Sequence, residues 1–471
     1  MLTNMLLLVN LAVIGFLIVF YLECVQEKET RAPKIVGGVT IFFTLVLVAI
    51  LFIPASHNIL TLFYGAGIVC TLLLLVPPKP NQRALQGATG FQVDEVDRVD
   101  ERDVVFARLR LAPEHEAQYA AYYGEDSEKE ARDAKRREKG LLGTLGSIDK
   151  GYQPSSAMVH ASFDIPNYLG THAIAEPVEG EVRAQWDAAK ATEIVKQYAL
   201  HTGADMVGIC EVNPLWVYSH RGEIHYDNWE DWGKPLSDTP KYAVVMLTEM
   251  NWDHVSAAPH TPSVAESAND YGKGAYLSTV LARWFAHMGY RGVAQNTRNY
   301  DTLLVPLAVD AGLGELGRQG YLIAPKFGAR VRVFATLTDM PLIPDSPISI
   351  GVDEFCEKCK KCAESCPSRS IPLDDKILFN GTERWKTDED TCFEYWSKVG
   401  TDCSICMAVC PFSRPDTFSH RIVRYLLEKS RLARTYFPEI DNYLYGKRWR
   451  PRQVPAWLDY PRGIEVKKEI Y

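Results

Sequence analysis

Residues 356–367 read CEKCKKCAESCP. The four cysteines follow the spacing C-x2-C-x2-C-x3-C-P, which is the bacterial ferredoxin pattern. In that pattern three thiolates on one tight turn bind three corners of a cubane, and the fourth cysteine reaches a second cluster. The stretch therefore predicts a protein with two iron–sulfur clusters.

A second cysteine run, CSICMAVCP at residues 403–411, supplies the remaining ligands together with Cys392, which is separated from it by ten residues. Crossed ligation divides the eight cysteines into two sets, each predicted to hold one [4Fe–4S] cluster. The first set is Cys356, Cys359, Cys362 and Cys410, and the second is Cys366, Cys392, Cys403 and Cys406. Disulfides or zinc are the alternatives, but eight interleaved ligands with two Cys-Pro endings suit a zinc ribbon poorly. The other three cysteines, Cys24, Cys70 and Cys210, are expected to be ordinary buried thiols.

The chain has 471 residues and a net charge of −8. This length exceeds one ordinary core, and the acidic balance gives no global sign of nucleic-acid binding. Three charge-poor stretches lie near the N-terminus, at Met5–Leu22, Ile35–Ile53 and Ile59–Val76. A bilayer core needs roughly twenty apolar residues per helix, so the stretches predict three transmembrane helices. Buried soluble helices are the alternative.

Basic residues give the expected orientation of these helices. Lys28, Arg31 and Lys34 lie between the first two, and Lys79 and Arg83 follow the third. The positive-inside rule then predicts a multi-pass protein of the cytoplasmic (inner) membrane in which the first loop and the rest of the chain after the third helix face the cytoplasm. Reduced thiols fit that compartment.

Between residues 186 and 342 helical and strand patterns alternate, which predicts an α/β layer. The predicted helices are Trp186–His201 and one with apolar residues from Leu277 to Met288, and the predicted strands are Met206–Cys210, Tyr242–Leu247, Gly292–Ala294 and Val331–Phe334.

The sequence as a whole divides into five predicted regions. They are a transmembrane anchor (1–78), a charged linker with a strand-like Val93–Val105 and a solvated helix at Glu128–Lys139 (79–151), an α/β catalytic domain (152–349), a ferredoxin-like module (350–412) and an irregular, aromatic-rich extension packed on the catalytic part (413–471).

Residues 311–367 read AGLGELGRQGYLIAPKFGARVRVFATLTDMPLIPDSPISIGVDEFCEKCKKCAESCP, and residues 401–412 read TDCSICMAVCPF. These stretches closely resemble the reductive dehalogenase family, and the resemblance covers about residues 180–415. It implies two [4Fe–4S] clusters and a corrinoid (cobalamin or a relative), bound base-off by a nitroreductase-like α/β core next to the nearer cluster. The absence of an Asp-x-His-x-x-Gly segment agrees with a cobalt that has no protein ligand. The implied reaction removes halide from an organohalide with electrons that the clusters pass to cobalt.

The resemblance also implies that a tyrosine donates the proton, and Tyr276 is the position aligned to it, with Tyr271 as the fallback. An unperturbed phenol has a pKa of about 10, so a cation beside it would stabilise the phenolate. Arg332 is the candidate cation and Arg330 its fallback.

Two further groups of candidates follow from the same resemblance. Asn299, or else Asn296, would orient the substrate or the phenol. Gly312, Gly314 and Arg318, in the glycine-rich turn, are candidate corrinoid contacts.

The N-terminus departs from the family pattern. Many relatives are exported by a twin-arginine signal and bind a separate small anchor protein, whereas here the three spans are fused to the catalytic part. The first loop carries Glu27-Lys28-Glu29, similar to a Glu-x-Glu feature of that anchor. The electron donor is therefore left as a quinol or a low-potential ferredoxin or flavodoxin.

Two alternatives remain open. One is an epoxyqueuosine reductase-like corrinoid enzyme, which the acidic charge and the spans disfavour. The other is a non-catalytic, membrane-tethered iron–sulfur electron-transfer protein, which the long α/β region disfavours.

Overall fold

The computed structural model describes residues 2–124, 126–138, 153–179, 183, 185–452, 455 and 457. Lys139, residues 140–152 of the linker and the end of the C-terminal extension from residue 458 lie outside the described residues. The predicted fold class is confirmed: an α/β core, a ferredoxin-like module and three apolar N-terminal helices are present.

The apolar helices are α1 (Leu2–Gln26), α2 (Ala32–Phe52) and α3 (His57–Leu74). By length and composition each could cross a membrane. Most of their apolar side chains are exposed, and only a small core around Leu6 and Ile50 joins them. Cys70 is exposed on α3, so the expectation that it is buried is wrong, whereas Cys24 and Cys210 are buried.

The linker differs from its prediction. Val93–Val105 forms no strand; it crosses the surface irregularly, with backbone bonds from Val93 to Gly381 and from Glu101 to His220. Its helices are α4 (Val105–Arg110), α5 (Glu116–Tyr123) and α6 (Ser127–Arg137), and α7 (Gln153–Gly170) lies at the start of the region predicted as the α/β domain.

Helix α6 was predicted to be solvated, but one of its faces is buried. Asp133 and Arg136 are buried, and Arg136 donates to Asp133 at 2.7 Å. Arg108 of α4 lies 3.3 Å from the same carboxylate, and Asp390 pairs with both arginines. Two charges of the run therefore belong to a buried ion-pair network, whereas Glu128, Arg132 and Lys135 remain exposed on the rest of the helix.

The core is a five-stranded antiparallel sheet with the order β1-β4-β7-β3-β2, accompanied by the hairpin β5-β6. Four strands lie at the predicted positions, and β1 is additional. The elements are β1 (Ile174–Ala175), α8 (Ala188–Thr202), β2 (Met206–Glu211), β3 (Tyr242–Glu249), α9 (Trp252–Val255), α10 (Thr261–His287), β4 (Gly292–Gln295), α11 (Leu304–Asp310), β5 (Glu315–Leu316), β6 (Leu322–Ile323) and β7 (Val331–Thr338).

Helices cover both faces of the sheet. On β3, Val244 and Met246 pack against α8 and α10, whereas Val245 and Leu247 pack towards α11. This alternation follows from the two-residue period of a strand. On β7 the same alternation places Arg332 on the α10 side, where the site described below lies.

The ferredoxin-like module contains α12 (Val352–Cys359), α13 (Lys361–Ser365), β8 (Ile377–Phe379), β9 (Thr382–Arg384), α14 (Glu389–Val399) and α15 (Ile405–Val409). Two short helix pairs bring the cysteines inward. The turns before α13 and α15 need left-handed backbone, at Lys360 (φ 52°) and Ser404 (φ 54°).

The C-terminal extension is more regular than predicted. It begins with α16 (Phe418–Lys429) and α17 (Arg431–Tyr445), and α17 continues through Pro438. Both helices contact the apolar N-terminal helices as well as the rest of the chain.

Candidate functional site

The first predicted cysteine set is brought together in the fold. Burial raises the pKa of Cys356 well above its usual value, and the nearby Cys362 and Cys410 raise it further. The pKa of Cys359 is raised in the same way, by burial and then by Cys362 and Cys410. Buried thiols this close cannot all ionise unless positive charge compensates them, and the irons of a cluster would provide that charge.

The second set converges in the same manner. Burial raises the pKa of Cys392 to about 12, and the nearby thiol of Cys366 contributes to that rise. Burial also raises the pKa values of Cys403 and Cys406, and Cys392 and Cys366 contribute to both shifts. Among the described residues no group of three or more His, Cys, Asp or Glu side chains is placed to hold a single metal ion. This result concerns single metal ions and does not conflict with four thiolates around a four-iron core.

Arg318 lies between the α/β core and the first cysteine set. Its guanidinium donates to the carbonyl oxygen of Cys356 at 3.1 Å and to those of Pro372 and Asp374 at 2.9 Å, and it stacks 4.5 Å from the Trp385 ring. Burial raises the pKa of Cys362 to about 12, and the charge of Arg318 acts in the opposite direction. Arg318 therefore faces a cluster ligand.

Gly312 and Gly314 have a backbone role. Both have positive φ, and a Cβ would lie 2.4 Å from the carbonyl oxygen of Ser346 at Gly312 and 2.3 Å from that of Ile323 at Gly314. Only glycine fits these approaches. Like Arg318, neither glycine is among the described residues that line the cavity considered next.

A cavity of about 480 Å³ separates the sheet from the ferredoxin-like module. Its walls are mainly apolar and aromatic. Tyr271 of α10 and Arg332 of β7 line one side, and Met407, which follows Cys406, lines another. Tyr321 also lines the cavity. Burial raises the pKa of its phenol well above the usual value, and the nearby Cys406 and Cys392 raise it further. The second cysteine set therefore borders the cavity.

Arg332 is the centre of a polar network at the cavity wall. Its guanidinium carbon lies 5.0 Å from the centroid of the Tyr271 ring. Its Nη2 donates to Ser267 Oγ at 2.5 Å and to Asp402 Oδ2 at 2.9 Å, and the Ser267 hydroxyl also donates to Asp402. Burial alone would lower the pKa of Arg332, but Tyr271 and Asp402 raise it above its usual value. The side chain is a fixed cation.

The other candidates lie elsewhere. Tyr276 is 49% exposed on α10 and is not among the cavity-lining residues. Arg330 is fully buried and pairs with Glu249 at 3.0 Å. Asn296 and Asn299 stabilise the turn after β4: Asn296 donates to Ser278 at 3.2 Å, and Asn299 donates to the Ala294 carbonyl at 2.9 Å.

Sequence reasoning missed Ser267, Asp402, Tyr300 and Tyr321. Helical phase could have found the first, because Ser267 lies four residues before Tyr271 and therefore on the same face of α10. Asp402 directly precedes a predicted ligand. Tyr300 lines the cavity, and burial raises its pKa well above the usual value, with Tyr271 adding to the effect.

Comparison with known proteins finds matches to the ferredoxin-like module and to longer stretches of the chain. A family model described as a 4Fe-4S dicluster domain matches residues 355–413. The tetrachloroethene reductive dehalogenase of Sulfurospirillum multivorans is 32% identical over 297 residues, which are 55% of this chain and 58% of that protein. The one of Desulfitobacterium hafniense is 32% identical over 278 residues, half of each chain.

Among solved structures, a catabolic reductive dehalogenase, NpRdhA, in complex with 3-bromo-4-hydroxybenzoic acid matches with a TM-score of 0.58 and 27% identity. The match covers 78% of this chain and 52% of that one. The chain thus spans about half the length of the relatives it matches. These matches support iron–sulfur clusters and a corrinoid as its cofactors. The chain is similar to reductive dehalogenases over about half of its length.

Proposed function

We propose that this protein is a membrane-anchored, corrinoid-dependent reductive dehalogenase that replaces a halogen of an organohalide with hydrogen. The balance is one proton and two electrons in, and one halide ion out. The observation that carries the proposal is the cavity with the Tyr271–Arg332 pair on one wall and the second cysteine set behind another.

The cavity wall suits a large, mostly apolar ring cofactor. Trp216, Trp385 and several tyrosines contribute flat apolar surface. A corrinoid bound here would supply the low-potential cobalt that accepts electrons and breaks the carbon–halogen bond. The described lining residues include no histidine, which is compatible with a base-off cofactor without a protein ligand to cobalt.

Tyr271 replaces Tyr276 as the proposed proton donor. Its hydroxyl would transfer a proton to the carbon that loses halide, which leaves a phenolate. Arg332 would stabilise that phenolate at short range inside a water-poor wall, where electrostatic effects are strong. Ser267 and Asp402 hold the guanidinium in place, so the cation need not reorganise during the reaction.

Electrons would enter at the first cluster and leave from the second. Arg414, four residues after Cys410, pairs with Glu29 of the loop between α1 and α2 at 2.5 Å. The first cysteine set therefore lies on the side of the apolar helices, and the second lies towards the cavity. A quinol in the membrane, or a low-potential ferredoxin or flavodoxin, would be the donor.

The three apolar helices would span the cytoplasmic membrane as a multi-pass anchor. Glu27 pairs with His420 and Glu29 with Arg414 and Arg452, so the first loop and the catalytic part share one side. Lys28, Arg31 and Lys34 make that side cytoplasmic by the positive-inside rule.

Halide release tests the proposal. The full chain, loaded with iron, sulfide and a corrinoid, would be incubated with an artificial low-potential donor and a panel of aryl and alkyl halides. We expect release of chloride or bromide from at least one class, together with the hydrogen-substituted product. Reduced clusters without halide release from any substrate would favour the electron-transfer alternative, and turnover of an epoxyqueuosine-modified stem-loop would favour the tRNA-directed one.

A further inference from the structure

Helix α17 has an exposed apolar stripe that its protein contacts leave open. Leu432, Tyr436, Ile440 and Tyr443 recur at intervals of three and four residues and are 38%, 61%, 46% and 61% exposed. Such spacing places them on one helix face. The opposite face, with Ala433 and Pro438, is buried.

This stripe is continuous with the apolar anchor. Helix α17 contacts α2 and α3, and α16 contacts α1. The Arg31 guanidinium, at the residue before α2, lies 5.8 Å from the centroid of the Tyr443 ring. One end of the stripe therefore lies where a membrane span begins.

The start of α16 reaches further along the anchor. The Glu23 carboxylate, near the end of α1, accepts hydrogen bonds from the backbone N–H groups of Phe418 and Ser419 at 2.9 and 3.1 Å. The Phe418 ring is 51% exposed and lies 6.5 Å from Phe16. Phe16 precedes the end of α1 by ten residues, which is about 15 Å of helix. Phe418 thus lies beside the apolar part of the span.

We propose that the exposed faces of α16 and α17 form an interfacial membrane-binding surface, occupied by the headgroup and upper acyl region of the bilayer that α1–α3 cross. Aromatic and aliphatic side chains flanked by basic ones are typical of helices that lie in this plane. Arg421, Lys429 and Arg431 are exposed at the edges, where their charged ends can reach lipid phosphates. The catalytic part is therefore held against the membrane, with the side of the first cysteine set facing it.

This inference rests on the proposed spans but not on the dehalogenation chemistry. It is tested with the full chain in vesicles of phosphatidylcholine and phosphatidylglycerol. A ketone-bearing phenylalanine analogue, encoded singly at chosen positions, carries a nitroxide and leaves every cysteine untouched. Collision with dissolved oxygen and with a water-soluble nickel chelate reports whether each position lies in lipid or in water.

Labels in place of Tyr436, Ile440 and Tyr443 are expected to favour oxygen over the nickel chelate. Phe42, midway along α2, serves as the lipid control, and Tyr168 of α7, 71% exposed, as the water control. Nickel access at 436, 440 and 443 equal to that at 168, with 42 in lipid, would overturn the proposal. Nickel access at 42 would instead show that the spans themselves were misassigned.

Discussion

The guanidinium of Arg332 lies between the ring of Tyr271 and the carboxylate of Asp402, 5.0 Å from the ring centroid and 2.9 Å from Oδ2. Asp402 directly precedes Cys403, a proposed ligand of the second cluster. The proposed proton donor, its proposed cation and the loop before a proposed cluster ligand are therefore joined through two contacts. This arrangement explains why Arg332 serves better than Arg330, whose guanidinium is occupied by Glu249 and by the carbonyl oxygens of Met250 and Ser413.

Replacing Tyr271 with phenylalanine removes the proposed proton donor and keeps the ring. We expect halide release to fall by about 10²- to 10⁴-fold, the usual contribution of a positioned acid. Tyr276→Phe is the matched control on the same helix and should retain nearly full activity, because Tyr276 is half-exposed. The measurement is halide release with cluster spectra recorded in parallel. Loss of activity in Tyr276→Phe and not in Tyr271→Phe would return the role to Tyr276.

Arg318→Gln removes a positive charge beside the first cysteine set. A cluster gains negative charge on reduction, so the loss of a nearby cation should shift its potential to a more negative value. Redox titration followed by electron paramagnetic resonance measures the shift. Lys190→Gln, an exposed lysine of α8 outside the ferredoxin-like module, is the control and should leave the potential nearly unchanged. Equal potentials in both variants would contradict the placement of Arg318.

Asp133→Asn breaks the buried network of α4 and α6. The carboxylate lies between Arg108 and Arg136, and all three side chains are at most 5% exposed. Removing one partner of a buried pair leaves uncompensated charge, and we expect a loss of about 3–5 kcal/mol in the free energy of unfolding. Denaturant titration in detergent checks it. Glu193→Gln, in an exposed pair with Lys190, should change the same quantity by less than about 1 kcal/mol.

Glu315 gives the stability a pH dependence. It accepts backbone hydrogen bonds from Gly351 at 2.8 Å and from Ile350, and burial raises its pKa from 4.5 to about 7 despite those bonds. Because the folded state binds this proton more tightly than the unfolded state, its contribution to stability is present below pH 4.5 and is lost as the pH rises to 7. Glu315→Gln should remove this component.

The check on Glu315 is a comparison of denaturation midpoints at pH 5 and pH 8. We expect the difference between the two midpoints to become smaller in Glu315→Gln than in the parent protein. Glu211→Gln, at an exposed position on β2, is the control and should leave the difference as it was. An unchanged difference in Glu315→Gln would mean that this carboxyl does not titrate in the range.

Local patterns in the sequence were sufficient to predict the three apolar helices, four of the sheet strands and the convergence of the cysteines. Each depends on apolar periodicity or on close ligand spacing. The choice of the proposed proton donor, Tyr271 rather than Tyr276, depends on where α10 begins. The apolar pattern is evident only from Leu277 onward, whereas α10 begins at Thr261. The pattern therefore could not predict that Tyr271 is directed inward and Tyr276 outward.

Contacts between residues far apart in the sequence could not be predicted either. The buried face of α6 depends on Asp390, more than 250 residues away, and no local pattern can separate such a helix from a solvated one. Helix α17 contains Pro438 and many aromatic residues, which favoured an irregular segment until its tertiary contacts were known.

Metal content tests the central claim most directly. The full chain, reconstituted with iron, sulfide and cobalamin and freed of unbound cofactor, should contain about eight iron atoms and about one cobalt per molecule, with a corrin absorption band, as two cubane clusters and one corrinoid require. Full iron with no retained cobalt would contradict the account, because the cavity beside Tyr271 and Arg332 would then hold no corrinoid.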